Sequence, residues 1–366
     1  MKYWRGYVFA FIAAACTWAL TLFASSHVAL MDTVYPYFTR LLMDSVAQWS
    51  SSAGFCLWQL GVLVFIGAVL VSIVLMFVLR WNPVQWFGWV LAAVSVVNLL
   101  NTGLYGLNKY TGSITEDLRM TDTPYSMSDL KDAALYFQEQ ANTLAGEGQR
   151  DENGLAEFAD FDTLANQACE GFRVMTYERS ASVLAGSRLP VKELGWESHF
   201  THRGITGMTV GLTGEAAVNP QVPDSALPFA MCREMAHRMS IVNSPDGDFA
   251  AFLTCEANPD PQFRYSGFMM AYAYCCDALE SFDTYAAREL LEEITASESD
   301  ALRADLTAVR DFLKKPLDRA DGACTMLVNW YIEKIVLPTK VEETPLFDPT
   351  DEEQVDLSGI RAAEEP

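Results

Sequence analysis

The chain has 366 residues, a formal net charge of −22 and a hydrophobic share of 51%, and it is long enough for two ordinary domains. Its charged residues are unevenly distributed, because only two of the 47 acidic and four of the 25 basic residues lie within residues 1–107. The rest of the chain therefore has a formal charge of −24. Because such a surface repels nucleic acid and anionic lipid, both are excluded as partners.

Three nearly uncharged segments occupy residues 7–25, 60–79 and 87–107. Each is about as long as the roughly 20 apolar residues that cross a bilayer. The first could instead be a cleaved signal peptide, since Lys2 and Arg5 precede it. Its length favours a membrane span. Trp18 and Phe23 also interrupt any small-residue cleavage pattern. The sequence predicts a membrane domain of residues 1–110 with three transmembrane helices.

The few basic residues beside these segments predict the orientation of the chain. Positive charges accumulate on the cytoplasmic side of membrane proteins. Lys2 and Arg5 therefore predict a cytoplasmic N-terminus, and Arg80, two crossings later, falls on the same side. We expect a multi-pass protein of the cell membrane, with everything after about residue 110 outside the cytoplasm and the lipid bilayer as a partner.

The segment between the first two spans has a helical repeat of apolar residues, formed by Phe38, Leu41, Leu42, Val46 and Trp49. Two interpretations are open. The helix lies along the outer leaflet with this face in lipid, or it packs on the outer domain.

Residues 111–337 read as one mostly helical domain. Apolar periodicity predicts a helix over residues 126–145 and another over 161–179. Glycine-punctuated, β-rich residues at 204–210 and 215–219 predict a small sheet. A helix is then predicted over residues 224–240, and a further helix is predicted to begin at Asp246 or Asp248. The predicted fold class is mainly α (α+β). The acidic, proline-rich residues 338–366 predict a disordered tail.

One helix carries a pattern with recognisable chemistry. In zinc peptidases the pattern H-E-x-x-H places two histidines on one helix face to bind the metal, and the glutamate activates water. Residues 233–237 read R-E-M-A-H. Glu234 and His237 occupy the expected positions, whereas Arg233 stands in place of the first histidine.

Several surrounding segments support this comparison. The sequence has GITG at 204–207, TGEAAVN at 213–219, SPDGDF at 244–249 and DPQFRYSGF at 260–268. Together with the REMAH helix, they resemble the domain of unknown function 3810 family. The resemblance implies a bacterial membrane protein with three N-terminal spans and a zincin-like outer domain.

The resemblance also implies a zinc site. In its terms His237 is a metal ligand, Glu234 is the general base, and Asp246 stands where the family has a glutamate that completes the site. Arg233 stands where the family has the first zinc histidine. The sequence thus keeps one ligand, changes one conservatively and loses one.

Two further positions depart from the family pattern. Asp248 replaces an asparagine, and Ser240 replaces a glycine that follows the active-site helix.

The arginine is physically incompatible with direct metal binding. A guanidinium group stays protonated and has no lone pair to donate. Its repulsion of a cation at roughly 4 Å costs several kcal/mol at an intermediate dielectric constant. We therefore expect Arg233 to pair with Asp246 or Glu234 and zinc to be absent. A substitute site of His237, Asp246 and either His199 or His202 would instead retain zinc.

These observations leave three hypotheses. The first is a membrane-anchored, zincin-like protein with lost or impaired peptidase activity, which acts as a binding or regulatory module for a protein or peptide at the cell surface. The alternative is an active zinc metallopeptidase with an altered metal site. The third is a purely structural envelope protein, which makes no use of Glu234.

Overall fold

The computed structural model describes residues 2–121, 123–185, 188–314, 317 and 320–338. The described chain is mostly helical with a small three-stranded sheet, as predicted. From residue 339 onward the predicted tail lies outside the described residues. The α-helices are α1 (Arg5–Ser26), α2 (Val28–Ser51), α3 (Leu57–Val78), α4 (Pro83–Leu104), α5 (Ile114–Asp117), α6 (Met127–Glu147), α7 (Phe161–Arg173), α8 (Glu197–Thr201), α9 (Leu227–Arg238), α10 (Ser244–Ala257), α11 (Pro261–Ser281), α12 (Tyr285–Thr295), α13 (Asp300–Leu313) and α14 (Ala320–Tyr331). The strands are β1 (Lys192–Glu193), β2 (Gly207–Val210) and β3 (Glu215–Val218).

Three of these helices, α1, α3 and α4, are long and apolar enough to cross a membrane. They coincide with the three predicted segments. Gly6, near the start of α1, lies against Gly88, near the start of α4, so these two spans run parallel. A Cβ atom on Gly6 would lie 2.4 Å from the carbonyl carbon of Gly88. Small residues at such crossings let the backbones of membrane helices approach closely.

The domain that follows residue 110, called the outer domain after its predicted orientation, binds the start of one span directly. The backbone N–H groups of Leu57 and Trp58, in the first turn of α3, donate to the Glu215 carboxylate at 2.8 and 2.9 Å. Glu215 lies in β3 and also bonds to Lys192 Nζ at 2.7 Å. A carboxylate at a helix N-terminus satisfies free donors and complements the helix dipole. The start of α3 therefore faces the outer domain, as three alternating crossings require.

Helix α2 lies between the spans and the outer domain. Its Thr39 hydroxyl is 2.8 Å from the Ser240 hydroxyl, and Arg40 Nε donates to the Met239 carbonyl at 2.9 Å. Helix α2 therefore packs on the outer domain, as one of the two interpretations predicted. The opposite face is apolar and exposed, which suits contact with lipid. That face consists of Val34, Tyr37, Phe38, Leu41 and Trp49.

The sheet has the order β1-β3-β2, with β1 parallel and β2 antiparallel to β3. The two predicted strands are thus β2 and β3. The main core of the domain lies among α6, α9, α10, α11 and α14. Aromatic rings fill its centre, and Phe252 packs edge-on against Trp330 with ring centroids 4.8 Å apart.

One predicted helix boundary was wrong and another was nearly right. The helix predicted over residues 161–179 is present as α7, which ends at Arg173 and continues as one π-helical turn over Val174–Glu178. Helix α10 begins at Ser244 rather than at Asp246 or Asp248, with Pro245 in its first turn. Proline suits that position, because its missing N–H would be unpaired there anyway.

The close crossing of α1 and α4 generates a testable prediction. Gly6→Leu should lower the thermal midpoint of the full chain in detergent, because the new side chain meets the backbone of α4. Gly67→Leu in α3 is the matched control, since a Cβ atom there meets nothing within 4 Å. Equal midpoints for the two variants would show that the α1–α4 contact is wrong.

Candidate functional site

Helix α9 holds the R-E-M-A-H residues against the sheet and the core. A short 3-10 turn over Asp224–Ala226 leads into it, and Pro228 lies in its first turn. The Phe229 N–H donates to the Ser266 hydroxyl at 3.1 Å, which satisfies one free donor of this helix start. Cys232 is fully buried in the core, although it is next to Arg233 in sequence.

Arg233 forms an ion pair with two buried carboxylates. Its Nε donates to Asp248 Oδ1 at 2.6 Å, and its Nη1 lies 3.5 Å from Glu234 Oε1. Both carboxylate side chains are only 3% exposed, whereas that of Arg233 is 25% exposed. Burial lowers the pKa of Arg233, but the two carboxylates outweigh it and raise that pKa above its ordinary value. The guanidinium therefore remains charged at any physiological pH.

The second carboxylate oxygen of Glu234 is held by the sheet. Thr209, in β2, donates its hydroxyl proton to Glu234 Oε2 at 2.8 Å. Gly207 allows β2 to lie this close, because a Cβ atom there would be 2.6 Å from Glu234 Cγ. Burial raises the pKa of Glu234, and Arg233 and Thr209 oppose that rise. The glutamate is thus fixed between a strand and an arginine.

The orientation of His237 is also fixed by hydrogen bonding. Its Nδ1 lies 2.6 Å from the Ile241 carbonyl oxygen. Because a carbonyl can only accept, Nδ1 carries the proton and the neutral ring keeps a lone pair on Nε2. Burial and Arg233 together lower the pKa of His237 to about 4. Histidines that bind metals commonly make the same hydrogen bond through their second nitrogen.

The structure brings Asp248, not Asp246, to Arg233. Residues two apart on a helix point about 200° away from each other. Asp246 instead faces the segment that follows α4, and its Oδ1 accepts from Ser113 Oγ at 2.6 Å and from the Ile114 N–H at 2.8 Å. The expected pairing with Glu234 is present, and the main partner of Arg233 is Asp248.

His199 and His202 lie away from this cluster. Both are exposed, around the short helix α8. The His202 carbonyl accepts a hydrogen bond from Lys314 Nζ at 2.8 Å, and the residue lines a surface recess with Glu197 and Asp311.

The arrangement does not fit a zinc ion. Within the part of the chain that the structure describes, no group of three His, Cys, Asp or Glu residues is placed to hold a metal. Arg233, which stands where the H-E-x-x-H pattern has its first histidine, places its positive charge against Asp248.

A cavity of about 220 Å³ lies over the ion pair. Arg233 and Asp248 line it on one side, and the GITG segment at 204–207 lines another. A further wall comes from the end of α13 and has no signal in the sequence. The apolar lining includes Phe229, Met270, Val309, Phe312 and Leu313, with Tyr274 beside Asp248.

The lowered pKa of His237 predicts a pH dependence of stability. In the unfolded chain a histidine titrates near 6.5, whereas His237 stays neutral in the fold down to about pH 4. Between these values the unfolded state binds more protons, so folding stability falls as pH falls. We expect a loss of about 3 kcal/mol from this residue over the window.

His237→Asn should reduce this loss, because the amide can still donate to the Ile241 carbonyl but does not titrate. The measurement is the thermal midpoint of the full chain between pH 7 and pH 4. His202→Asn, at an exposed position, is the control and should follow the wild type. If His237→Asn shows the wild-type pH dependence, His237 is not the buried neutral group described here.

Comparisons with known proteins give one result. The family model described as "Protein of unknown function (DUF3810)" matches residues 31–334. No curated protein and no solved structure matches the chain. Because the matched region covers most of the chain and includes the ion-pair site, the chain belongs to the DUF3810 family, whose function is unknown.

Proposed function

We propose that this protein is a membrane-anchored, zincin-like module in which an ion pair replaces the metal and peptidase activity is lost. The observation that carries the proposal is the bonding of Arg233 to both Asp248 and Glu234. Glu234 stands at the position of the general base in the H-E-x-x-H comparison, and Asp248 lies on the neighbouring helix α10. A fixed cation now offsets part of their charge.

The chemistry of hydrolysis explains why this exchange removes activity. A zinc peptidase lowers the pKa of a metal-bound water, and its glutamate accepts the water proton. A guanidinium cannot coordinate water as a Lewis acid or donate a lone pair. Glu234 then has no activated water to deprotonate, and its oxygens are already engaged by Arg233 and Thr209.

The retained cavity supports a role in binding. Strand β2 lies at the edge of the sheet, and its four residues are all partly exposed. An exposed edge can accept an extended peptide as an additional strand, while adjoining pockets select its side chains. The apolar wall from Phe229, Met270 and Phe312 would take an uncharged side chain. A protein or peptide segment is therefore the proposed ligand class.

The proposed location is the outer face of the cell membrane. The positive charges of Lys2, Arg5 and Arg80 favour a cytoplasmic N-terminus, and the outer domain contacts the opposite ends of the spans. The acidic domain would then meet partners at the cell surface.

An active zinc metallopeptidase is the second candidate, and one observation favours it. His237 already has the tautomer of a metal ligand, with Nε2 available. Zinc binding would require Arg233 to leave both carboxylates. Separating a buried pair typically costs about 3–5 kcal/mol, so the zinc would have to repay that cost.

Zinc content distinguishes the two candidates. We expect the purified full chain to contain substoichiometric zinc by elemental mass spectrometry after equilibration with zinc and desalting. Arg233→His should bind about one zinc per chain, because it restores an imidazole beside His237 and frees Asp248.

Two control variants test whether any zinc bound by Arg233→His is held by the new imidazole and by Asp248. Arg233→Lys should bind no zinc, since a protonated amine has no lone pair to donate. Adding Asp248→Asn to Arg233→His should weaken the new site. Stoichiometric zinc in the wild type would refute the loss of the metal. No zinc in a folded Arg233→His variant would refute the correspondence between α9 and the peptidase helix.

A further inference from the structure

A second cavity, of about 130 Å³, lies where the membrane helices meet the outer domain. Asp32, in the second turn of α2, lines it, and α2 starts two residues after span α1 ends. Gly112, eight residues after the end of span α4, lines it beside Asp32. A cavity bounded by the ends of two spans lies at the depth of the lipid headgroups.

Arg40 is the cationic group of this cavity. Its Nε is held by the Met239 carbonyl, so the position of the guanidinium is fixed by the outer domain. Its two terminal nitrogens have no hydrogen-bond partner among the described residues. Arg40 lies beside Tyr37, whose ring centroid is 5.9 Å from the guanidinium carbon and which belongs to the exposed apolar face of α2. A fixed guanidinium with free donors is suited to phosphate.

Carboxylates line the same space. Asp32 accepts a hydrogen bond from the Gly112 N–H at 2.9 Å through Oδ1. Partial burial raises the pKa of the Asp117 carboxyl. The positive charge of Arg40 lowers that pKa and the negative charge of Asp32 raises it, so these three charges act on one another. No ion pair within 4 Å joins Arg40 to either carboxylate in the described chain. The cavity is therefore lined by one positive group, Arg40, and three carboxylates, of which Asp246 already accepts hydrogen bonds from Ser113 and the Ile114 N–H. The other two, Asp32 and Asp117, are separated from the Arg40 guanidinium.

We infer that this cavity binds an ethanolamine phosphate group, supplied by a membrane phospholipid, with the phosphate on Arg40 and the ammonium between Asp32 and Asp117. A zwitterionic group matches the separated charges. The acyl chains would leave along the exposed apolar face of α2, formed by Val34, Tyr37, Phe38, Leu41 and Trp49.

The charges of the cavity also predict selectivity among headgroups. A primary ammonium donates three hydrogen bonds and suits carboxylates, whereas a quaternary choline donates none and is usually bound in aromatic cages. Anionic headgroups bring phosphate but would face Asp32 and Asp117 without a compensating cation. The cavity should therefore prefer phosphatidylethanolamine to phosphatidylcholine and phosphatidylglycerol.

Native mass spectrometry of the delipidated full chain, titrated with short-chain forms of these three lipids, tests the inference. We expect one phosphatidylethanolamine per chain, retained at least tenfold more tightly than either other lipid. Arg40→Gln and Asp117→Asn should each abolish that preference. Lys109→Gln is the matched control, because Lys109 is a basic residue just after α4 whose Nζ lies over the Tyr110 ring, 4.8 Å from its centroid.

The outcomes separate the possible sources of the ligand. Equal affinity for the three lipids, or an unchanged preference in a folded Asp117→Asn variant, would overturn the site. Free phosphoethanolamine is the second probe. If it binds as tightly as the lipid and displaces it, the ligand is a soluble phosphate ester and the lipid assignment is wrong. Weak binding of the free compound, with tight binding of the lipid, supports the inference.

Discussion

The buried ion pair between Arg233 and Asp248 is the interaction on which the site depends. It joins α9 to α10, and in the proposed function it takes the place of a metal ion. Buried pairs contribute little net stability relative to apolar packing, but the loss of one partner leaves a charge without compensation. Glu234 and Asp248 are nearly inaccessible to solvent, so neither could tolerate the removal of the guanidinium without protonation or rearrangement.

The same helix is tied to the membrane-proximal part of the chain through its C-terminal end. The Tyr105 hydroxyl, just after α4, donates to the His237 carbonyl at 3.0 Å. Ser240 follows the helix in a left-handed conformation, with φ of 74°, a position that glycine usually occupies. Its hydroxyl lies 2.8 Å from that of Thr39 in α2, which compensates part of the cost of that conformation. The site and the membrane segment therefore form one connected structure.

Much of this architecture could be predicted from the sequence. Long apolar segments and the glycine-punctuated strands are local signals, and both were confirmed. The R-E-M-A-H pattern located the helix, and the chemistry of Arg233 predicted an ion pair with a neighbouring carboxylate. The identity of the main partner was missed, because it depends on how α10 is rotated about its axis against α9. That rotation is set by long-range packing, and it directs Asp248 rather than Asp246 toward Arg233. The cavity wall from α13 depends on long-range packing and has no local signature.

A double-mutant cycle between Arg233 and Asp248 tests the central claim most directly. The free energy of unfolding would be measured for the wild type, Arg233→Met, Asp248→Asn and the double variant, with the exposed pair Arg303 and Asp300 as the reference cycle. Each single change should cost about 3–5 kcal/mol, and the double variant should lose far less than the sum of the two. The reference pair should show a coupling of no more than about 1 kcal/mol. Additive effects at Arg233 and Asp248 would contradict the account, because they would show that the two side chains do not stabilise each other.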